Sequence, residues 1–314
     1  MTRPAKSRGA LQLGAWKGQP SITLVAGEHD ATFLPGCGRL CASLRHRRDE
    51  FVAWPRTLAQ FHEGRMTAVP FVHPWGNRLE QREYRVGRRT VDLEGIDLPT
   101  DPIGLPMHGN LRGAAFAVTR AEATARGARV VARLDYGTRA DLLRAFPFPH
   151  VVTIDARLDE RGLRLTTEIE PTGRRAVPIS FCWHPFVQIP GVPRREWELR
   201  WPACKRAVVD ARVIPTGELV AQPAERAPLA HRTFDDHYAL GTDRRFSLRA
   251  RNRSIELRFG PTYPYAQLYV PERGRFAAIE PMTATIDALG RGTTPMAKPG
   301  EPFRAWFSIA CELQ

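Results

Sequence analysis

At 314 residues, the chain has room for about two average domains, although all-β sandwiches and barrels also use roughly 200–250 residues in one. Its 43% apolar content can fill a sizeable core, no run approaches the ~18 apolar residues of a membrane helix, and 27 Pro with 25 Gly argue against a helical bundle. The net charge of +13 rests on 42 Arg and 4 Lys against 33 acids, scattered without a basic tail, so it reads as an Arg-biased surface and not as a nucleic-acid binder.

The first twenty residues, MTRPAKSRGALQLGAWKGQP, hold no apolar run of signal-peptide length, so a cytoplasmic protein is expected, with the first ~15 residues mobile. Cys37, Cys41, Cys182, Cys204 and Cys311 are odd in number and form no CxxC pair. Reduced thiols acting as small apolar residues are therefore expected, with no disulfide framework and no metal. Short alternating segments follow one another: Ser21–Leu24, Ala114–Thr119, Arg129–Asp135, Arg245–Ala250, Ser254–Phe259, Ala266–Val270, Phe276–Ile279 and Pro302–Cys311. The most regular is 151–170, where Val152, Ile154, Ala156 and Leu158 alternate with polar residues. It then turns at Asp159–Gly162 and resumes with Leu163, Leu165, Thr167 and Ile169, a β-hairpin by period and turn chemistry. The only helical turn expected is Ala140–Phe146, stopped by the prolines of FPFP. Strands at this spacing, with no linker and no internal repeat, predict one all-β domain over 1–314, a large antiparallel sandwich.

Five short pieces carry the chemistry. In FVHPWGNRLE, Asn77 and Arg78 follow a turn and offer an amide and a guanidinium fork to a polyhydroxylated ligand; they also fit turn chemistry and a surface charge. In PMHGNLRG, His108 is a loop imidazole able to donate a hydrogen bond or carry a proton, or simply a solvent-facing one. In PISFCWHPFVQIPG, His184 ends an apolar strand before Pro185, between Trp183 and Phe186. Partial desolvation there suits acid–base work, and a core His bonded to a carbonyl is the plainer alternative. In TFDDHYAL, Asp236 precedes His237. The two cannot share a metal from opposite faces of a strand, so a carboxylate accepting ligand hydroxyls is expected, with Asp235 left open as the residue facing the site. In RFAAIEPMTATIDAL, Glu280 closes the strand Phe276–Ile279 and Pro281 ends it. A carboxylate there suits a general base with a tuned pKa, or a salt bridge to an arginine.

The order Asn-Arg, His-Gly, His-Pro-Phe, Asp-His, Glu-Pro resembles the aldose 1-epimerases, or mutarotases, from about Pro70 to Leu289, with Phe303–Cys311 as the closing strand. The resemblance implies a galactose mutarotase-like β-supersandwich with a broad cleft. It implies catalytic roles for Glu280 as base and His184 as acid, with His108 beside them, and sugar binding by Asn77, Arg78, Asp236 and Gln267 of AQLYVP. Two departures concern the sugar: Cys182 stands where galactose-active members usually carry Asn, and Asn110 follows His-Gly in place of an aromatic.

The implied reaction explains the residue types. A base takes the C1 hydroxyl proton while an acid protonates the ring oxygen; rotation about C1–C2 and re-closure with roles reversed give the other anomer. The expected partner is a small sugar, with no cofactor, metal, nucleic acid or membrane, and a monomer or homodimer. The alternatives are a hexose-6-phosphate 1-epimerase and a non-catalytic carbohydrate-binding protein on the same fold.

Overall fold

The computed structural model of the chain describes residues 9–111 and 113–313. Three antiparallel sheets make up most of it. The largest has nine strands in the order Glu225–Pro228, Glu198–Trp201, Arg245–Ala250, Arg253–Phe259, Phe303–Leu313, Gly162–Pro171, His150–Asp159, Gly127–Asp135 and Ala117–Thr124. An eight-stranded sheet runs Pro215–Gln222, Cys204–Val209, Phe234–Leu240, Tyr265–Val270, Ala277–Met282, Cys182–Trp183 and Phe71–Val72, with Phe186–Val187 also beside Ala277–Met282. A five-stranded meander, from Ala10–Trp16 to Asp49–Glu50, completes the set.

Sequence alternation explains which face is buried. In the 150–171 hairpin, Leu158 opposes Leu163, Ala156 opposes Leu165 and Val152 opposes Ile169, and all six are buried. On the neighbouring strand Phe307 and Ile309 extend that face, so one continuous apolar cluster joins the sheets. Truncating fully buried Phe307 to Ala would cost about 3–5 kcal/mol of stability.

The structure departs from the sequence reading in five places. A helix at Leu58–His62 was not foreseen, although Thr57 and Gln60 form a reciprocal capping box at its start. The Ala140–Phe146 turn is a helix over Ala140–Leu143 only, and the strand expected from Ala114 starts at Ala117. Residues 10–16, within the segment expected to be mobile, pair with Gln19–Ala26; residues 1–8 of that segment lie outside the described residues.

The fifth departure shapes the site. Pro281 does not end its strand, which continues to Met282. Cys182 pairs with Met282 and Phe186 with Ala278, so the two short strands share one register, interrupted at His184–Pro185. Thr283 donates to the Phe181 carbonyl and Ile279 to the Pro185 carbonyl. Pro281, midway between them, has no N–H to send to Trp183, and Pro185 has none to send to Ile279, so the pairing is interrupted at His184 and Glu280.

Candidate active site

The same register sets Glu280 directly opposite His184, and Gln267 opposite Glu280 on its other side. Cross-strand neighbours share a face. His184 Nε2 accordingly lies 3.1 Å from Glu280 Oε1, and both side chains are buried. Phe186 stacks on the His184 ring at 4.4 Å, and His108 meets it edge-on at 5.4 Å.

Two left-handed turns bring in the loop residues. Asn77 has φ +59° and His108 φ +61°. The His108 N–H donates to the Asn77 carbonyl, while the Asn77 N–H donates to His108 Nδ1 at 3.3 Å. The ring proton is therefore on Nε2, which is left to donate to a ligand. Burial first, then the charge of Arg78, lowers the His108 pKa to about 3, so this imidazole is a neutral donor and not an acid. Gly109 is required next, with φ +63° and no room for a Cβ against the His73 carbonyl.

Arg78 is held at two points. Its Nε donates to Asp101 Oδ2 at 2.8 Å and its Nη1 to Asn77 Oδ1 at 3.1 Å. Asp101 Oδ1 accepts the amides of Ile103 and Leu105. Burial raises the Asp101 pKa, but Arg78 and these amides outweigh it and keep the carboxyl below its usual range.

Asp235, and not Asp236, faces this cleft. Gln267 Nε2 donates to Asp235 Oδ1 at 2.7 Å, and both line a cavity of about 390 Å³ with Asn77, Arg78, His184 and Glu280. Asp236 projects from the other face of the strand, toward Arg206 at 3.8 Å and the Tyr238 hydroxyl. Adjacent strand residues point oppositely, so only one of the two can reach the cleft. The substrate-binding assignment of Asp236 is corrected accordingly. Asp235→Ala is expected to raise KM at least tenfold and Asp236→Ala to leave it within about twofold, measured by steady-state kinetics on one sugar; equal effects would return Asp236 to the site.

Electrostatics separate the roles. Burial first, and then the Asp235 charge, push the Glu280 pKa well above the usual carboxylate range, with Arg78 opposing. Burial and His108 push His184 well below the usual imidazole range. Glu280 Oε2, Gln267 Oε1 and His184 Nδ1 are buried without a protein hydrogen-bond partner, which suits a site awaiting a polar ligand. Tyr269, Phe186, Phe276 and Asp101 also line the cavity and were not singled out from the sequence; only the Gln-x-Tyr spacing pointed at Tyr269. Among the described residues no group of three His, Cys, Asp or Glu side chains forms a metal site, and no helix is long and apolar enough to cross a membrane.

The aldose 1-epimerase family profile matches residues 40–310. The chain belongs to the aldose 1-epimerase family. Membership brings a sugar as the ligand class and carbohydrate isomerisation as the family's chemistry. No curated protein matches the sequence. Among solved structures, a galactose mutarotase-like protein from Clostridium acetobutylicum superposes with TM-score 0.87 at 18% identity, covering 98% of this chain and 99% of that one. A galactose mutarotase-like protein from Lactobacillus casei ATCC 334 gives 0.74 at 19%, covering 93% and 100%. Galactose 1-epimerase from Lactobacillus acidophilus NCFM gives 0.76 at 13%, covering 97% and 99%. At these identities the likeness establishes the fold, the galactose mutarotase-like supersandwich.

Proposed function

We propose that the protein is an aldose 1-epimerase that interconverts the α and β anomers of a free aldose by opening and re-closing the ring. The observation that carries this reading is the buried His184–Glu280 contact at 3.1 Å on the floor of a cleft toward which Arg78 and His108 converge. Burial opposes any net charge on the pair, so it holds one proton in total. The raised Glu280 pKa and the lowered His184 pKa rest that proton on Glu280, and the reactive form has it passed across the 3.1 Å contact to His184: Glu280 then takes the C1 hydroxyl proton while His184 protonates the ring oxygen, the C1–O5 bond breaks and the aldehyde forms. Re-closure on the other face returns both protons. Each transfer leaves the pair with one proton, so it is ready for the next turnover. Arg78 and the His108 Nε2–H stabilise oxygens that gain charge. Asn77, Asp235 and Gln267 hold hydroxyls and fix the face presented.

A second reading has a specific observation behind it. Arg56 and Arg65 line the cavity mouth, and neither has a carboxylate partner among the described residues. Both suit an anionic substituent far from C1, as in a hexose 6-phosphate. A polarimetric screen of anomerically pure aldoses, with and without the 6-phosphate, at low and high salt, separates the readings. Acceleration of a free aldose with a salt-insensitive KM is expected; a 6-phosphate preference with a KM that climbs steeply with salt would install the second. Binding of sugars without any acceleration over the spontaneous rate would leave only carbohydrate binding.

A further inference from the structure

The outer face of the nine-stranded sheet carries a row of arginines that the cleft chemistry does not use. Arg129 opposes Arg157, Arg157 opposes Arg164, Arg164 opposes Ser308, Ser308 opposes Arg258 and Arg258 opposes Arg245. Five guanidinium groups and a hydroxyl thus stand side by side across six adjacent strands. Their flanking residues, such as Ala156, Leu165, Phe307 and Leu257, are buried on the opposite face, so the row points outward.

Like charges placed directly opposite on a sheet destabilise it. Part of that cost is offset: Asp155 binds both Arg129 and Arg157, Glu122 meets Arg129, and Asp243 holds Arg245. Arg164 and Arg258 have no carboxylate partner among the described residues. Arg164 lies 3.9 Å over the ring of Trp306, and the space for that ring exists because residue 260 is glycine, where a Cβ would sit 2.7 Å from Trp306 Nε1. A concavity of about 750 Å³ lies beside Arg157 and Arg164, its five arginines outnumbering Asp155, Asp159 and Glu168, and another of about 570 Å³ lies beside Arg258, Arg245 and the Trp306 ring.

We propose that this row is a second binding surface, separate from the cleft, for an extended acidic polysaccharide of the polyuronate type laid across the strands. The spacing supports the choice. Neighbouring strands lie about 4.8 Å apart, so the row spans ~24 Å. A polyuronate carries one carboxylate per ring, with successive rings turned about the chain axis, so carboxylates on alternate rings face one side; Arg164 and Arg258, two strand steps apart across Ser308, offer their free guanidinium forks to two of these. Single-stranded nucleic acid is less well served, because its binding uses aromatic platforms open to the bases, and the aromatic ring beside the row is already capped by Arg164.

The test is fluorescence anisotropy with labelled oligogalacturonates of two to eight rings on the full chain. Affinity is expected to rise with length to about five or six rings and then level off, as the ~24 Å row fills. It should fall as salt rises and vanish for the methyl-esterified oligomer. Arg164→Glu with Arg258→Glu should weaken binding at least tenfold while sugar turnover in the cleft and the circular dichroism spectrum stay unchanged. No binding at low salt, affinity independent of length, equal binding by the double variant, or tighter binding of single-stranded DNA of equal charge would each overturn the proposal.

Discussion

Glu280→Gln and His184→Asn are each expected to lower kcat by at least ~10²-fold, the typical contribution of a positioned acid or base. The reason is the shared proton. Either substitution leaves one member of the cross-strand pair without a partner able to complete the exchange, while Gln keeps the volume of Glu280 and Asn keeps a hydrogen-bonding group in place of the His184 ring. The wild-type pH profile should be a plateau. Its acid limb lies below the usual imidazole pKa, where the pair would take a second proton, and its alkaline limb above the usual carboxyl pKa, where it would lose its only one. Stability supplies a control. A carboxyl whose pKa rises on folding contributes stability below its unfolded pKa and loses that contribution as pH climbs through the folded one. Glu280→Gln should therefore unfold no earlier than wild type at mildly alkaline pH. Polarimetry against the spontaneous rate, with thermal melts at two pH values, measures both. Near-native turnover in either variant would remove the pair from the mechanism.

Arg78→Ala is expected to lower kcat/KM by about 10²–10³-fold, the scale seen when a preorganised donor to a developing oxyanion is lost. Its Nε and Nη1 are committed to Asp101 and Asn77, which aims the rest of the fork at the cleft. Lysine at 78 cannot reproduce that clamp, so Arg78→Lys should recover less than a tenth of the lost rate. Removing Arg78 also strands buried Asp101, at a cost of a few kcal/mol, so the melt of Arg78→Ala should drop where that of Glu280→Gln does not. A rise in KM alone, with kcat untouched, would make Arg78 a binding residue only.

Much of this was legible because the strand period is a strong signal. The 150–171 hairpin and the strands ending at Phe259, Val270 and Leu313 declare themselves by alternation. The same rule settles Asp235 against Asp236, since Phe234, Tyr238 and Leu240 place the apolar face on even numbers and Asp236 falls among them. Reading the dipeptide by its neighbour His237 hid that. What no local pattern carries is the long-range part: Asp101 reaching Arg78 from 23 residues away, and the Gln267–Glu280–His184 row, which exists only once three separate segments are in register. The Leu58–His62 helix was missed because five residues are too few to show a helical period, though its capping box was visible.

The interrupted ladder at Pro281 bears on how the two strands hold His184 against Glu280. A β-sheet tends to zip shut along any register that offers donors to acceptors, and here the register is continuous on both sides of the gap. Pro281 and Pro185 withhold the two N–H groups that would complete the ladder around His184 and Glu280. A non-proline residue at 281 would add one N–H opposite the Trp183 carbonyl, in a register that the flanking bonds already hold. The positions of His184 and Glu280 are therefore set by the flanking register and by their own side-chain contact, in a stretch with fewer backbone hydrogen bonds than the strands on either side.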